Sequence, residues 1–414
     1  MRSLFLLLLL CCCPVTVAAA DVPDQAREGE AANESSAPSE EAQDRETGAK
    51  EDPLAQVQAE RSKKPEEREE GKSDVRLYGS ARIRYRAGEK DSAWGDGGTR
   101  AGINGDWKFS SKRWLFARGE AGFSLLDAVD QVLNPSSRSG EDDGDLFLRL
   151  AYAGYAGPRA LTSFGKNWSA WYQVAGFTDG FESTGASASG TYNAGTDGGP
   201  TGTGRADRVL QTRMLIDFLP QRWFKPFHLN LQVQHGEPVP QVDGVDYGTA
   251  FGASAVLNTK RGYTLGIAYN RADITDEGDP VVRGAGIDGD AEAFIIGTRG
   301  FGERWYLATV VSRLENHETT GAGIYFDGWG WEVFGRYRLY GPIWLTGGWN
   351  RLEPDGDEDQ VGDYRLRYGV LGLWYSFRKF ERLIYLEARF DDSRGADGIR
   401  PGNSYAFGVR WDLP

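Results

Sequence analysis

Cysteine is nearly absent from this chain: there are three in 414 residues, at positions 11, 12 and 13. Any form that loses its first 20 residues therefore has neither a disulfide framework nor a thiol nucleophile. Histidine is almost as scarce, with three residues at 228, 235 and 317 that lack the close spacing of a metal site. After the first dozen residues no apolar run approaches the roughly 18–20 residues that cross a bilayer as a helix. No phosphate-binding loop, dinucleotide fingerprint or nucleophile elbow is present, and Gly185-Ala186-Ser187-Ala188-Ser189-Gly190 is a Gly/Ser run that reads as a flexible loop. A formal net charge of −13 argues against nucleic acid as a partner, because phosphate binding needs a concentrated basic surface. No cofactor and no metal are expected. Asp355, Asp357 and Asp359 begin like a calcium loop, but Gln360 replaces the turn glycine and Leu366 the bidentate glutamate, so a solvated acidic loop is the default.

Fifty-five glycines and 12% aromatic residues point to all-β structure. Three stretches differ in composition. Residues 1–20 carry Arg2, an apolar core from Leu4 to Cys13 and Ala18-Ala19-Ala20, the pattern of a cleaved secretory signal peptide. Residues 21–74 contain 17 acidic and 8 basic residues and no Phe, Trp or Tyr. That composition buries too little apolar surface to offset chain entropy, so it reads as a disordered acidic extension, which lies in the periplasm if the strands after it form an outer-membrane barrel entered from that side. Residues 75–414 form the third stretch.

There the hydrophobic pattern has a period of two. Leu77, Ala81, Ile83 and Tyr85 alternate with Arg76, Ser80, Arg82, Arg84 and Arg86; Tyr405, Phe407, Val409, Trp411 and Leu413 alternate with Ser404, Ala406, Gly408, Arg410 and Asp412. The alternating runs are longer than the roughly 5–6 residues usual in soluble sandwiches and suit tilted membrane strands. Tyr78, Trp107, Trp114, Tyr269, Trp329, Trp344, Trp374 and Tyr405 sit near the ends of such runs, as interfacial girdles would. Segments 208–217 and 291–298 alternate poorly. Seven short connections, near 110–112, 157–159, 220–222, 259–262, 301–303, 340–342 and 378–380, intersperse with eight long ones, near 88–98, 127–144, 178–205, 236–248, 273–290, 315–327, 353–363 and 391–402. The expected fold is an all-β, transmembrane antiparallel β-barrel of 16 strands, with short turns on one side and long loops on the other.

The third long connection is rich in Gly, Ser and Thr from 180 to 204. It follows Ser163-Phe164-Gly165-Lys166-Asn167-Trp168 and Gly176-Phe177-Thr178-Asp179; Leu77-Tyr78-Gly79 opens the barrel and Arg149-Leu150-Ala151-Tyr152-Ala153-Gly154 lies on the fourth strand. On these pieces the chain resembles the Gram-negative general porins of the enterobacterial type, over about residues 75–414. The resemblance implies an outer-membrane porin: a water-filled channel for passive diffusion of ions and small hydrophilic solutes, assembled as a homotrimer among outer-membrane lipid and lipopolysaccharide. It also implies that the long third loop folds into the lumen, with Asp179 and Glu182 on its acidic side facing Arg100, Arg149 and Arg208 on the basic wall. The family's basic position on the first strand is Ser80 here, and Arg82 and Arg84 on the same face supply that charge. Parity supports Arg100, which alternates with Ala101 and Ile103, and Arg149, which alternates with Leu148 and Leu150. The loop lacks the family's compact acidic tip, and the last residues are Asp412-Leu413-Pro414 rather than a terminal aromatic, with Trp411 close by. Two other functions stay open at this stage: a channel specific for sugars or anions, and an outer-membrane barrel enzyme, which would need one of the three histidines beside a nucleophile.

Overall fold

In the computed structural model, the described residues are 73–413 except 90–91, 111, 127–145, 276–278, 357 and 378–379. The leader and nearly all of the acidic extension, up to residue 72, lie outside the described residues, as does Asp357 of the calcium-like triplet. Its neighbour Asp355 takes the guanidinium of Arg313 at 2.6 Å.

Sixteen antiparallel strands close on themselves. They are β1 (Ser73–Gly88), β2 (Ser92–Asp96 and Arg100–Ser110), β3 (Arg113–Phe123), β4 (Leu146–Ala156), β5 (Ala160–Trp168), β6 (Arg205–Ile216), β7 (Phe227–His235) and β8 (Tyr247–Asn258). They continue as β9 (Tyr263–Ile274), β10 (Ala291–Phe301), β11 (Trp305–Thr319), β12 (Tyr325–Tyr340), β13 (Ile343–Pro354), β14 (Leu366–Phe377), β15 (Arg382–Asp391) and β16 (Ser404–Leu413). Each pairs with its sequence neighbour, and the ring closes where β1 meets β16, from Gly79↔Leu413 to Gly88↔Ser404. Closure leaves no open edge, so the ladder satisfies the backbone where lipid offers no hydrogen bonds. The poorly alternating segments 208–217 and 291–298 are nonetheless strands β6 and β10.

The first long connection differs from expectation. Ser92–Asp96 folds straight back onto β1, pairing Ile83↔Asp96 to Ala87↔Ser92, so β2 begins within the expected loop. The break in β2 is a turn in which Asp96 Oδ2 accepts the N–H groups of Gly98 (2.6 Å) and Thr99 (2.9 Å). β1 also starts at Ser73, two residues before the expected boundary at 75.

The outer face carries the apolar half of each alternation: Leu115, Phe164, Leu231, Leu265, Leu307, Leu371, Leu386 and Phe407 are all exposed. Trp107, Tyr155, Tyr263, Trp305, Tyr340 and Trp411 mark the end with short turns, and Trp94, Phe147, Trp329 and Tyr405 the other end. These are the aromatic belts of a bilayer-spanning wall. Four of the expected belt residues face inward instead. Tyr78 bonds Glu120 in the lumen, and Trp114, Trp344 and Trp374 are buried. Position near a strand end does not reveal the face; parity does. Trp374 shares its parity with inward Tyr368 and Val370 and lies opposite exposed Leu371 and Leu373.

Candidate functional site

Residues 169–204, between β5 and β6, contain the short helix α1 (Tyr172–Ala175) and otherwise irregular backbone. Their polar groups meet inward-facing side chains of successive strands. Gln232 on β7 accepts from Ala170 N (2.5 Å) and donates to Gly202 O (2.7 Å), and Asn270 on β9 donates to Thr201 O (2.7 Å). His317 on β11 lies 2.9 Å from Gly190 O through Nε2. Glu332 on β12 accepts from Thr178 Oγ1, from Ala188 N at 2.8 Å and from Ser189 N at 2.9 Å. Tyr368 on β14 donates to Ser187 Oγ at 2.8 Å. Glu387 on β15 accepts from Glu182 N (3.0 Å), Ser183 N (2.9 Å) and Ser183 Oγ (2.5 Å).

The Gly/Ser-rich run is therefore not a freely flexible loop. Ser189, Thr191, Asn193, Thr201 and Thr203 are buried. They bond one another, as in Thr201 Oγ1 to Asn193 Oδ1 at 3.0 Å and Ser189 to Thr191 at 3.0 Å. Its glycines serve a defined path. Gly185, Gly190, Gly195, Gly198 and Gly202 all have positive φ, where side chains are strained. The wall provides matching recesses. A Cβ at Gly266 would stand 2.9 Å from Val174, one at Gly297 3.0 Å from Val174, and one at Gly330 would collide with Ala188 O. Val174 of α1, with Trp171 and Phe177 flanking the helix, packs with Phe334, Trp344 and Trp374 of the wall into an apolar cluster that occupies part of the interior. The guanidinium of Arg336 stands 4.7 Å from the Phe380 ring centre and 5.3 Å from that of Tyr306.

The charged residues singled out from sequence, Arg208 apart, lie with their partners on β1–β4, on β16 and on the 169–204 segment. Glu182 is paired by Arg410 Nη1 at 2.5 Å and by Arg82 Nη1 at 3.7 Å. Arg82 Nε donates to Ser80 Oγ at 2.8 Å. Arg84 reaches Ser183 O at 3.5 Å. Glu120 on β3 takes Arg149 Nε at 2.6 Å, Arg100 Nε at 3.5 Å and the hydroxyl of Tyr78 at 3.2 Å. Asp179 accepts from the hydroxyls of Tyr172 (2.8 Å) and Tyr192 (2.9 Å). Both phenols are held well above their ordinary pKa, first by burial and then by the Asp179 charge, so they stay hydrogen-bond donors. Next to them, burial works to raise the Asp197 carboxyl, but Arg205 and Lys166 outweigh it and hold the group below its ordinary value.

Of the seven residues singled out from sequence, Glu182 meets Arg82, while Arg100 and Arg149 meet each other through Glu120. Asp179 meets two tyrosines, and no arginine lies within ion-pair distance of it among the described residues. Arg149 does not reach the interior by simple alternation. Glu120 pairs with Leu150 and Ala121 with Leu148, so Arg149 is the extra residue of a bulge, and Leu150 beside it is buried as well. Arg208 stands apart. It has φ of +48° beside the bulge where β5 and β6 shift register, and its guanidinium bonds Glu237 at 2.6 Å and Gly236 O at 2.9 Å. Sequence reasoning missed Arg410 as the main partner of Glu182, Glu120 as the hub of the basic pair, and Glu332 and Glu387 as anchors. Parity places Arg410 on the polar face, and Glu332 falls there too because it alternates with Trp331 and Val333; their partners, 228 and 143–154 residues away, have no sequence signal.

A family model described as Gram-negative porin matches residues 54–379. No curated protein matches. Among solved structures, OmpF of Salmonella typhi in complex with daunomycin is similar at 19% identity and a TM-score of 0.65, over 82% of this chain and 97% of that one. OmpT of Vibrio cholerae, an outer membrane protein described in a trimer form, is similar at 15% identity and a TM-score of 0.55, over 82% and 99%. The outer membrane channel DcaP of Acinetobacter baumannii is similar at 14% identity and a TM-score of 0.59, over 84% and 99%.

Proposed function

The chain belongs to the Gram-negative porin family and is an outer-membrane channel for passive diffusion, and from that premise we propose that fixed charge at the edge of the 169–204 segment sets what passes. Asp179 and Glu182 supply the negative side and Arg82, Arg84, Arg100 and Arg149 the positive side. Arg208, tied to Glu237 away from this group, is left out of the reading. The observation that carries it is Glu182, a residue of the interior segment, within ion-pair distance of arginines on both β1 and β16. Fixed charges lining a narrow pore favour ions of the opposite sign and disfavour apolar solutes. Solutes are ions and small hydrophilic molecules, and the assembly is a homotrimer, as one similar structure is described.

The test is reversal potential in a KCl gradient. Asp179→Asn with Glu182→Gln is expected to move selectivity towards anions, and Arg100→Gln with Arg149→Gln towards cations. Shifts in the same direction, or none, would remove this segment from the selectivity mechanism.

A further inference from the structure

Cations are partnered differently at the two ends of the barrel. At the long-loop end Arg271, Arg313, Arg351 and Arg365 each meet a carboxylate, of Asp290, Asp355, Glu353 and Asp392 in turn. At the short-turn end Arg222, Lys260 and Arg261 are exposed, and none of them has a carboxylate within ion-pair distance among the described residues. These three belong to one patch. The turn 217–226 between β6 and β7 is bonded to the turn 259–262 between β8 and β9. Lys260 N–H donates to Trp223 O at 2.9 Å, Lys225 N–H donates to Asn258 O at 2.9 Å, and Phe224 forms a bridge with Thr259. The guanidinium groups of Arg222 and Arg261 stand 5.5 and 5.4 Å from the centre of the exposed Trp223 ring. One ring thus gathers two arginines beside a lysine. Asp217, the acid of the first turn, is engaged by Arg159 at 3.9 Å. Like charges gathered without a counter-charge raise the local potential and draw an anionic partner.

We propose that this patch is the docking surface for residues 40–60 of the same chain, with the acidic side chains of that segment set against Arg222, Lys260 and Arg261. Three observations support it. The first is place: β1 begins at Ser73 at the short-turn end, so the extension enters the barrel beside these turns. The second is charge. Residues 40–60 hold seven acidic and two basic side chains, while residues 61–72 hold four acidic and five basic, so a nearly neutral spacer separates the acidic segment from β1. The third is reach. Sixteen strands about 4.8 Å apart and tilted by about 40° close at a diameter of about 30 Å. The 12 residues of the spacer span at most about 40 Å, enough to cross to the far side of that ring. A tether of this kind holds its segment at an effective concentration of roughly millimolar, so contacts too weak for a free peptide suffice. The patch lies on connecting turns and not on the inward face of a strand. Docking there is therefore expected to leave conductance and reversal potential as they are.

The chain from residue 21 onward has no cysteine, so two introduced thiols report the contact without background. Gln43→Cys is combined with Gln221→Cys, which lies exposed in the first turn beside Arg222, and cross-linking within the chain is followed by electrophoresis of the unfolded protein. Gly321→Cys, exposed at the long-loop end, replaces Gln221→Cys in the control pair. In detergent at about 0.1 M salt the first pair is expected to link faster than the control. At about 1 M salt, where the Debye length falls from about 10 Å to about 3 Å, the rate should drop about fivefold, the size of a few exposed ion pairs lost together. Arg222→Gln, Lys260→Gln and Arg261→Gln together should lower it as much at about 0.1 M salt. So should Glu41→Gln, Asp44→Asn, Glu46→Gln, Glu51→Gln and Asp52→Asn together, which leave the barrel itself unaltered. Exchanging the signs, with lysines at those five positions and glutamates at the three turn positions, should restore it. Linking at the control rate overturns the proposal. So do a rate indifferent to salt and to both sets of variants, a sign exchange that restores nothing, and a link formed only between copies. Vesicles of phosphatidylcholine with and without phosphatidylglycerol decide the rival occupant. Linking is expected in both; its loss when the anionic lipid is present would assign the patch to lipid headgroups and overturn docking of the segment.

Discussion

Arg82 and Arg410 stand directly opposite one another across the β1–β16 closure, with Glu182 of the interior segment bonded to both. Like charges at directly opposed sheet positions repel. Glu182 offsets that repulsion at the seam where the barrel closes. Glu182→Gln is therefore expected to lower the unfolding temperature, and adding Arg410→Gln to recover part of the loss. A double-mutant cycle by thermal or denaturant unfolding should give a coupling of about 1 kcal/mol for Glu182 with Arg410 and less with Arg82, in keeping with the shorter contact. Additive single-variant effects would mean that the pair does not stabilise the closure.

Glu332 anchors the interior segment through Thr178, Ala188 and Ser189. Its removal leaves buried backbone N–H groups without acceptors, at a cost of about 1–3 kcal/mol for each group left unpaired. Glu332→Ala is expected to release the segment from the wall, giving larger or noisier single-channel currents and a lower unfolding temperature. Glu332→Gln, which keeps one acceptor oxygen, should fall between. Wild-type conductance in Glu332→Ala would show that the segment is held by other contacts.

An independent change reaches the same place from the backbone. At Gly330 a side chain would collide with Ala188 O, which itself accepts from Ser312 Oγ at 3.3 Å. Gly330→Ala is expected to raise the conductance as Glu332→Ala does, and the two together to exceed either by little, because both act on one contact. Single-channel recordings of the two variants and their combination decide it; fully additive conductance increments would mean two separate effects.

The ring of strands was legible because each outward face had to be apolar and each inward face polar, which writes a period of two into the sequence. Two devices hid the rest. The bulge at Arg149 breaks the parity rule, so that arginine reaches the lumen by a route alternation does not describe, while Arg208, in a second bulge, shares the parity of exposed Leu210 and turns to Glu237. Contacts between the interior segment and the wall join residues far apart in the chain, such as Ser187 with Tyr368. The glycines of 185–202 read as flexibility because composition reports permissive backbone, not the path it takes. Their positive φ values and the buried Ser, Thr and Asn among them show that permissiveness used to follow one route. Trp114, Trp344 and Trp374 misled for a related reason: a lumen partly filled by an apolar cluster needs inward aromatics that a water-filled one does not.

The outer face of the early strands is the expected trimer contact. Register sets Gly79 beside Ala101, Ala101 beside Ala121, and Gly119 beside Ala151. These small residues form a shallow surface that favours close packing of walls over contact with acyl chains. Ala121→Leu with Ala151→Leu is expected to shift the mass in native mass spectrometry from trimer to monomer while β-sheet circular dichroism is kept. A wild-type monomer, or a trimer indifferent to both leucines, would remove this face as the interface.

The last prediction concerns where the acidic extension ends. Residues 21–72 contain no aromatic anchor, whereas Ser73–Gly88 is already β1. Ser73 to Tyr78 pair with Trp107 to Gly102, Arg76 bonds Asp106 at 3.2 Å, and Tyr78 helps to hold Glu120. Six more residues thus separate a tolerated truncation from a damaging one. Deleting 21–72 behind an intact leader is expected to preserve heat-modifiable barrel mobility, conductance and reversal potential. Deleting 21–78 removes six rungs of the β1–β2 ladder and the hydroxyl that orients Glu120. It is expected to impair assembly, and any channels that form should show an altered reversal potential, because Arg100 and Arg149 share that carboxylate. The family match begins at residue 54, ahead of β1, so a third deletion, 21–53, locates any failure. Loss of assembly on deleting 21–72 but not 21–53 would assign a structural role to 54–72 and contradict the boundary argued from composition. Equal behaviour of the 72 and 78 truncations would show that the first six residues of β1 contribute nothing to the channel.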